Sequence, residues 1–177
     1  MPSGKTHDRI TLWGLPLVLT AAFYLTLDIS LTVIACIGFL IGGFMMGPDL
    51  DIRSVQYRRW GPLRWIWLPY QRVIKHRSRW SHGPIIGTLI RVLYFGFWVG
   101  LFSLVLIDLL NALWDAQLTW DDLRNTMQAS TLREWVSLMI GLELGALSHY
   151  GSDYLGSRGK RRRRRGKGEG RKGKGEG

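Results

Sequence analysis

Between Ile10 and Gly47 the chain carries a single charged residue, Asp28. Two uncharged apolar runs flank it, ITLWGLPLVLTAAFYLTL (10–27) and ISLTVIACIGFLIGGFMMG (29–47). A bilayer core of about 30 Å is crossed by roughly 20 helical residues at about 1.5 Å each, so runs of this length read as membrane helices. Two more follow: GPIIGTLIRVLYFGFWVGLFSLVLI (83–107) and the shorter EWVSLMIGLELGALSHY (134–150), which carries Glu143. The amphipathic helices of a soluble bundle would show polar residues every three or four positions, and the first three runs largely do not. The expected fold class is an all-α integral membrane protein with about four transmembrane helices. Lys5 and Arg9 would suit a signal peptide, but a second apolar run begins directly after Asp28, which favours a helical hairpin.

Basic residues set the orientation. Between Asp49 and His82 lie Arg53, Arg58, Arg59, Arg64, Arg72, Lys75, Arg77 and Arg79 against two aspartates, whereas the connection from Asp108 to Arg133 is rich in aspartate. The positive-inside rule then places the first connection and both termini in the cytoplasm, the expected setting being the cytoplasmic membrane or an internal one. Most tryptophans fall near the ends of the runs, as in an interfacial aromatic belt. RRWGPLRWIWLPY (58–70) is too short to span and too aromatic for a free loop, so it reads as an interfacial segment divided by Pro62 and Pro69.

The net charge of +11 is concentrated at the C-terminus. From Arg158 to Gly177 there are 11 Lys or Arg and 2 Glu, with no apolar residue to bury. Residues 158–177 therefore read as a disordered polybasic tail on a membrane domain of residues 1–157. Its default partner is anionic lipid at the cytoplasmic face; nucleic acid, bound by counterion release, is the sharper alternative. The single cysteine, Cys36, excludes an intramolecular disulfide and any thiolate cluster.

In this topology all four histidines reach one side. His7 precedes the first run, His76 and His82 precede the third, and His149 closes the fourth. Asp49 and Asp51 follow the second run, and Asp153 follows His149 by four residues, a spacing that shares a helical face. Imidazole and carboxylate without thiolate suit zinc, manganese or iron, and seven candidates exceed the four ligands of one tetrahedral ion, which leaves room for two. Two adjacent ions are a common device for hydrolysis. Asp8 is read either as orienting a ligand histidine or as favouring the start of the first helix; Arg77 and Arg79 either hold a substrate phosphate or meet lipid headgroups. Arg91 and Glu143, charged within the runs, suggest an ion pair. No residue is singled out as catalytic.

The combination of THD (6–8), GPDLD (47–51), HRSRWSHG (76–83) and ELGALSHYGSD (143–153) resembles an uncharacterised family of bacterial membrane proteins described as metal-binding. It is more distantly similar to the membrane-bound metal-dependent hydrolases, although HRSRWSH has one more residue between its histidines than their motif and Ser81 in place of threonine. The first resemblance implies a metal centre made by His76 and His82, Asp49 and Asp51, and His149 and Asp153. The second implies hydrolysis of a membrane-associated substrate. The alternative is a non-enzymatic metal-binding membrane protein whose tail engages lipid, RNA or a protein partner.

Overall fold

Asp28 ends one helix and starts the next. The computed structural model describes residues 4–74, 78, 80, 83–114 and 116–151. In it, α1 (Gly4–Thr26) is followed by α2 (Ile29–Phe44), and the Asp28 carboxylate accepts from Ser30 N at 2.7 Å and Leu31 N at 3.2 Å. Those are two of the N–H groups a new helix leaves without an internal partner, so the lone charge between the apolar runs is an N-cap. Leu27, at φ 50°, supplies the reversal, and the expected helical hairpin forms.

After α2 come a 3-10 turn (Pro48–Asp51), α3 (Val55–Arg59), a second 3-10 turn (Gly61–Ile66) and α4 (Trp67–Val73). Then follow α5 (Ile86–Trp114), α6 (Trp120–Ala129) and α7 (132–151). No strand occurs among the described residues, so the fold is all-helical. Two helices are long and apolar enough to cross a membrane, Thr6–Thr26 and Ile86–Trp114, with mean hydropathies of 1.3 and 2.1. At 16 residues α2 is shorter, about 24 Å at 1.5 Å per residue. Asp108, expected to open a loop, lies inside α5, which continues to Trp114. The connection beyond it carries α6, whose capping box joins Thr119 and Asp122. The Thr119 hydroxyl and backbone N–H both donate to Asp122 Oδ2 and hold that carboxyl below its ordinary value.

The aromatic segment 58–70, expected to be interfacial, packs against α5. Trp67 is fully buried, packed against Tyr94 and Phe95 of α5, while Trp60 meets Phe95 edge-on at 5.1 Å. Tyr94 donates to the Ile66 carbonyl. Pro69 does not break the segment either: it falls in the first turn of α4, where no backbone N–H is needed. Leu63 stays exposed, and Trp65, also partly open, meets Trp98 and Phe102 of α5 edge-on.

α2 and α7 meet backbone to backbone. Gly38 and Gly42 on α2 face Gly141 and Gly145 on α7, and a Cβ added at any of the four would collide with main-chain atoms of the other helix. Small residues four apart on both partners let helices approach this closely, as in membrane helix pairs. At the next residue, Gly43 leaves room for Thr11 of α1, which is itself buried and whose hydroxyl lies 3.4 Å from Ser148 Oγ. These contacts bring the N-terminal turn of α1, the end of α2 and the end of α7 to one place.

Candidate metal centre

The last carbonyls of a helix have no internal donors. At the end of α2 three side chains from the next segment supply them: Gln56 Nε2 donates to Gly43 O at 2.9 Å, Arg59 Nη1 to Phe44 O at 3.1 Å, and Trp60 Nε1 to Met45 O at 3.1 Å. Positions 56, 59 and 60 have the spacing of one helical face, and Ser54 caps that helix by accepting from Tyr57 N. α3 is thus fixed across the end of α2. The Gln56 amide lies directly against Gly47, where any side chain would collide with it.

Around this junction three of the expected ligands meet. His149 Nε2 lies 3.1 Å from Asp49 Oδ2, and the His7 ring stacks on the His149 ring with centroids 4.0 Å apart and planes 15° from parallel. All three residues are at most 9% exposed. Gln56 Nε2, already oriented as a donor by Gly43 O, lies 3.5 Å from His149 Nδ1. An amide nitrogen only donates, so Nδ1 is the acceptor and Nε2–H points at Asp49. Beside the rings is a cavity of about 200 Å³, also lined by Asp8, Ser54, Arg58 and Arg59. Asp8 accepts from Arg59 Nη2 at 2.5 Å.

Do these residues suit a metal? Two imidazoles and a carboxylate, buried together and drawn from three chain segments, form a nitrogen and oxygen donor set that divalent transition ions favour. The 3.1 Å separation of His149 Nε2 and Asp49 Oδ2 is close to the roughly 3.3 Å expected between neighbouring ligands of one tetrahedral ion with bonds of about 2.0–2.1 Å. Among the described residues, however, no three such side chains converge on one point, since the two histidine rings lie face to face. The chemistry fits, and ring reorientation is what binding would require.

Asp51 is placed differently from Asp49. Although buried in the same 3-10 turn, it does not line the cavity, and its charge acts instead on Tyr70 and Tyr150. Arg91, fully buried, sits beside those two phenols and donates to Thr88 Oγ1 at 2.9 Å. Burial pushes the Tyr70 phenol up to about 12, against the opposing pull of Arg91 and with a smaller push from Asp51. Glu143, the expected partner of Arg91, accepts from Ile85 N at 3.0 Å. His76, Arg77, Arg79, His82, Asp153 and the tail from 158 lie outside the described residues.

Sequence reasoning passed over Gln56, Arg58 and Arg59, which it treated as part of a basic loop. The usable signal was the Gln-x-x-Arg-Trp spacing directly after a helix end, a row of donors where carbonyls need them.

A protein of Aquifex aeolicus (strain VF5), itself described as uncharacterized, is 39% identical over 59 residues, which are 33% of this chain and 41% of that protein. The match thus spans about two fifths of that relative's length. No solved structure matches. A family model described as "Uncharacterized metal-binding protein (DUF2227)" matches residues 2–163, a range that includes His7, Asp49 and His149, and the chain belongs to that family.

Proposed function

We propose that the protein spans the cytoplasmic membrane with about four helices, both termini inside, and holds one or two divalent ions at the cytoplasmic ends of those helices. The observation that carries this reading is the joint burial of His7, Asp49 and His149 beside a cavity. His76, His82 and Asp153 supply the remaining ligands. Membrane residence is supported by the apolar surface that α1 and α5 present outward, where Trp13, Leu17, Leu25, Leu93 and Phe97 are all more than 60% exposed. The tail lies against anionic lipid.

The proposed activity is hydrolysis of a membrane-associated substrate. A bound divalent ion, zinc being the best match to the donors, supplies Lewis acidity and lowers the pKa of a coordinated water. A bound ion would replace the contact between Asp49 and His149 Nε2 and be held by both groups, while Gln56 beside Nδ1 limits how the imidazole turns. The cavity leaves space for a substrate group next to the ligands. A non-enzymatic metal site is the second reading, favoured by the close stacking of the two rings.

Elemental analysis of the detergent-purified full chain tests the proposal, beside His149→Ala and Asp49→Asn variants that retain their helical signal. Near-stoichiometric metal in the parent and its loss in both variants is the expected result. Equal metal in all three, or none in a parent exposed to zinc, refutes it. A loaded protein inactive on phosphoester, ester and amide panels leaves the non-enzymatic reading in place.

A further inference from the structure

The same cavity carries charges that metal binding does not use. Among its described lining residues Arg58 and Arg59 balance Asp8 and Asp49. A divalent ion held at Asp49 and the histidines would leave the lining two positive charges in excess, a local field that draws anions. A doubly charged anion restores the balance.

Arg59 is already built to receive one. Its Nη1 is fixed on Phe44 O at 3.1 Å, its guanidinium lies 5.3 Å from the centre of the Phe44 ring, and its Nη2 edge is taken by Asp8 at 2.5 Å. Arg58, next in the chain and exposed, forms no ion pair among the described residues. Both residues line the cavity, and a guanidinium group matches phosphate oxygens in geometry and charge. At about 30 Å³ per water, about 200 Å³ is room for a phosphate group with a few waters.

We propose that Arg58 and Arg59 form a binding site for a phosphate group, with Asp8 as the resident counter-ion that the phosphate displaces. The proposal deepens the metal-site reading, resting on it for the excess charge, and names the class of group the cavity takes: inorganic phosphate, a soluble phosphomonoester, or a phosphomonoester lipid headgroup. Asp8 competes with the ligand, and that competition gives the site an unusual signature. Removing one negative charge should tighten binding.

The test titrates the zinc-loaded full chain in detergent with inorganic phosphate, and separately with short-chain phosphatidic acid against phosphatidylcholine in the same micelles. Each is repeated with Arg58→Gln and Asp8→Asn. Arg58 is chosen because Arg59 also supports the end of α2, so its loss risks the fold. The expected result is affinity weakened about tenfold or more in Arg58→Gln and raised severalfold in Asp8→Asn. That pattern with inorganic phosphate assigns a soluble ligand, and the same pattern with phosphatidic acid alone assigns a lipid headgroup. Absence of binding in the parent, indifference to Arg58→Gln, or unchanged or weakened binding in Asp8→Asn overturns the proposal. The basic tail is common to all variants, so background binding to it cancels in the comparison. Zinc content measured in each sample separates the two readings: normal zinc with variant-insensitive phosphate binding sinks the phosphate site alone, and the expected pattern in a protein that never holds zinc sinks the metal site alone.

Discussion

The glycine crossing of α2 and α7 makes a quantitative prediction about what holds the site together. In Gly38→Ala the new methyl carbon would sit 2.5 Å from Leu138 O and 3.1 Å from Leu142 N, where ordinary contact begins near 3.4 Å. Both neighbours are backbone and cannot rotate away, so the helices must part by about 0.9 Å along that line. Overpacking of this kind costs about 1–3 kcal/mol, and contact with rigid carbonyls belongs at the upper end. Alanine gives back about 1 kcal/mol of helix propensity, which leaves a net loss of about 2 kcal/mol. For a chain of this size that is a fall in Tm of about 4–8 °C. Gly96→Ala supplies the control: it is also helical, lies in α5 and has nothing within 4 Å of the added carbon, so it should melt at or slightly above the parent. The assay is thermal unfolding in detergent followed by helical ellipticity. Because α7 carries His149, the separation also stretches the 3.1 Å contact with Asp49, and Gly38→Ala should take up less zinc. A Gly38→Ala protein that melts with Gly96→Ala refutes the close crossing and the placement of His149 that depends on it.

Two further outcomes follow from buried polar groups. Tyr70 ionises near 12 in the folded protein against about 10 in the unfolded chain, so its contribution is fully present below pH 10 and is lost as the pH rises from 10 through 12, a decline of up to about 3 kcal/mol. Denaturant titrations from pH 8 to 12 should show a shallower decline in Tyr70→Phe than in the parent; parallel declines would place the alkaline sensitivity elsewhere. Gln56→Leu keeps the side-chain bulk but strips the donor from Gly43 O, and an orphaned buried carbonyl costs about 1–3 kcal/mol. Loss of that order, with altered His149 ring-nitrogen shifts in NMR, is expected, whereas parental stability would mean that water caps α2 equally well.

Much of the helical layout was legible because it follows from local chemistry: uncharged runs of helical length, with a single charge between the first two that allows a hairpin. The junction of His7, Asp49 and His149 was also legible, though only as a common depth at the helix ends. What brings them within 3–4 Å is a pair of Gly-x-x-x-Gly rows, at 38 and 42 and at 141 and 145, and such rows state that a helix can be approached closely without naming its partner. The packing of the aromatic segment was not legible for a related reason. Tryptophan is equally suited to an interface and to a protein core, and only the position of α5 decides that Trp67 is covered.

The Asp-x-Asp and His-Tyr pairs explain why the two buried polar groups belong to one construction. At about three residues per turn, a 3-10 turn directs positions 49 and 51 about 240° apart, so the aspartates cannot serve one ligand point without leaving that conformation. Asp49 reaches His149, and Asp51 acts on Tyr150, the next residue of α7, with Tyr70 and Arg91 around it. Consecutive residues of an α-helix diverge by about 100°, so one short turn acts on one helix end in two directions, by contact at His149 and by charge at Tyr150. A slip of α7 by a single residue would break the contact and turn the phenol away from that charge. The Asp51 charge, near a fully buried arginine, therefore favours the register in which His149 faces Asp49. In this fold the second aspartate of GPDLD positions the site that the first one enters.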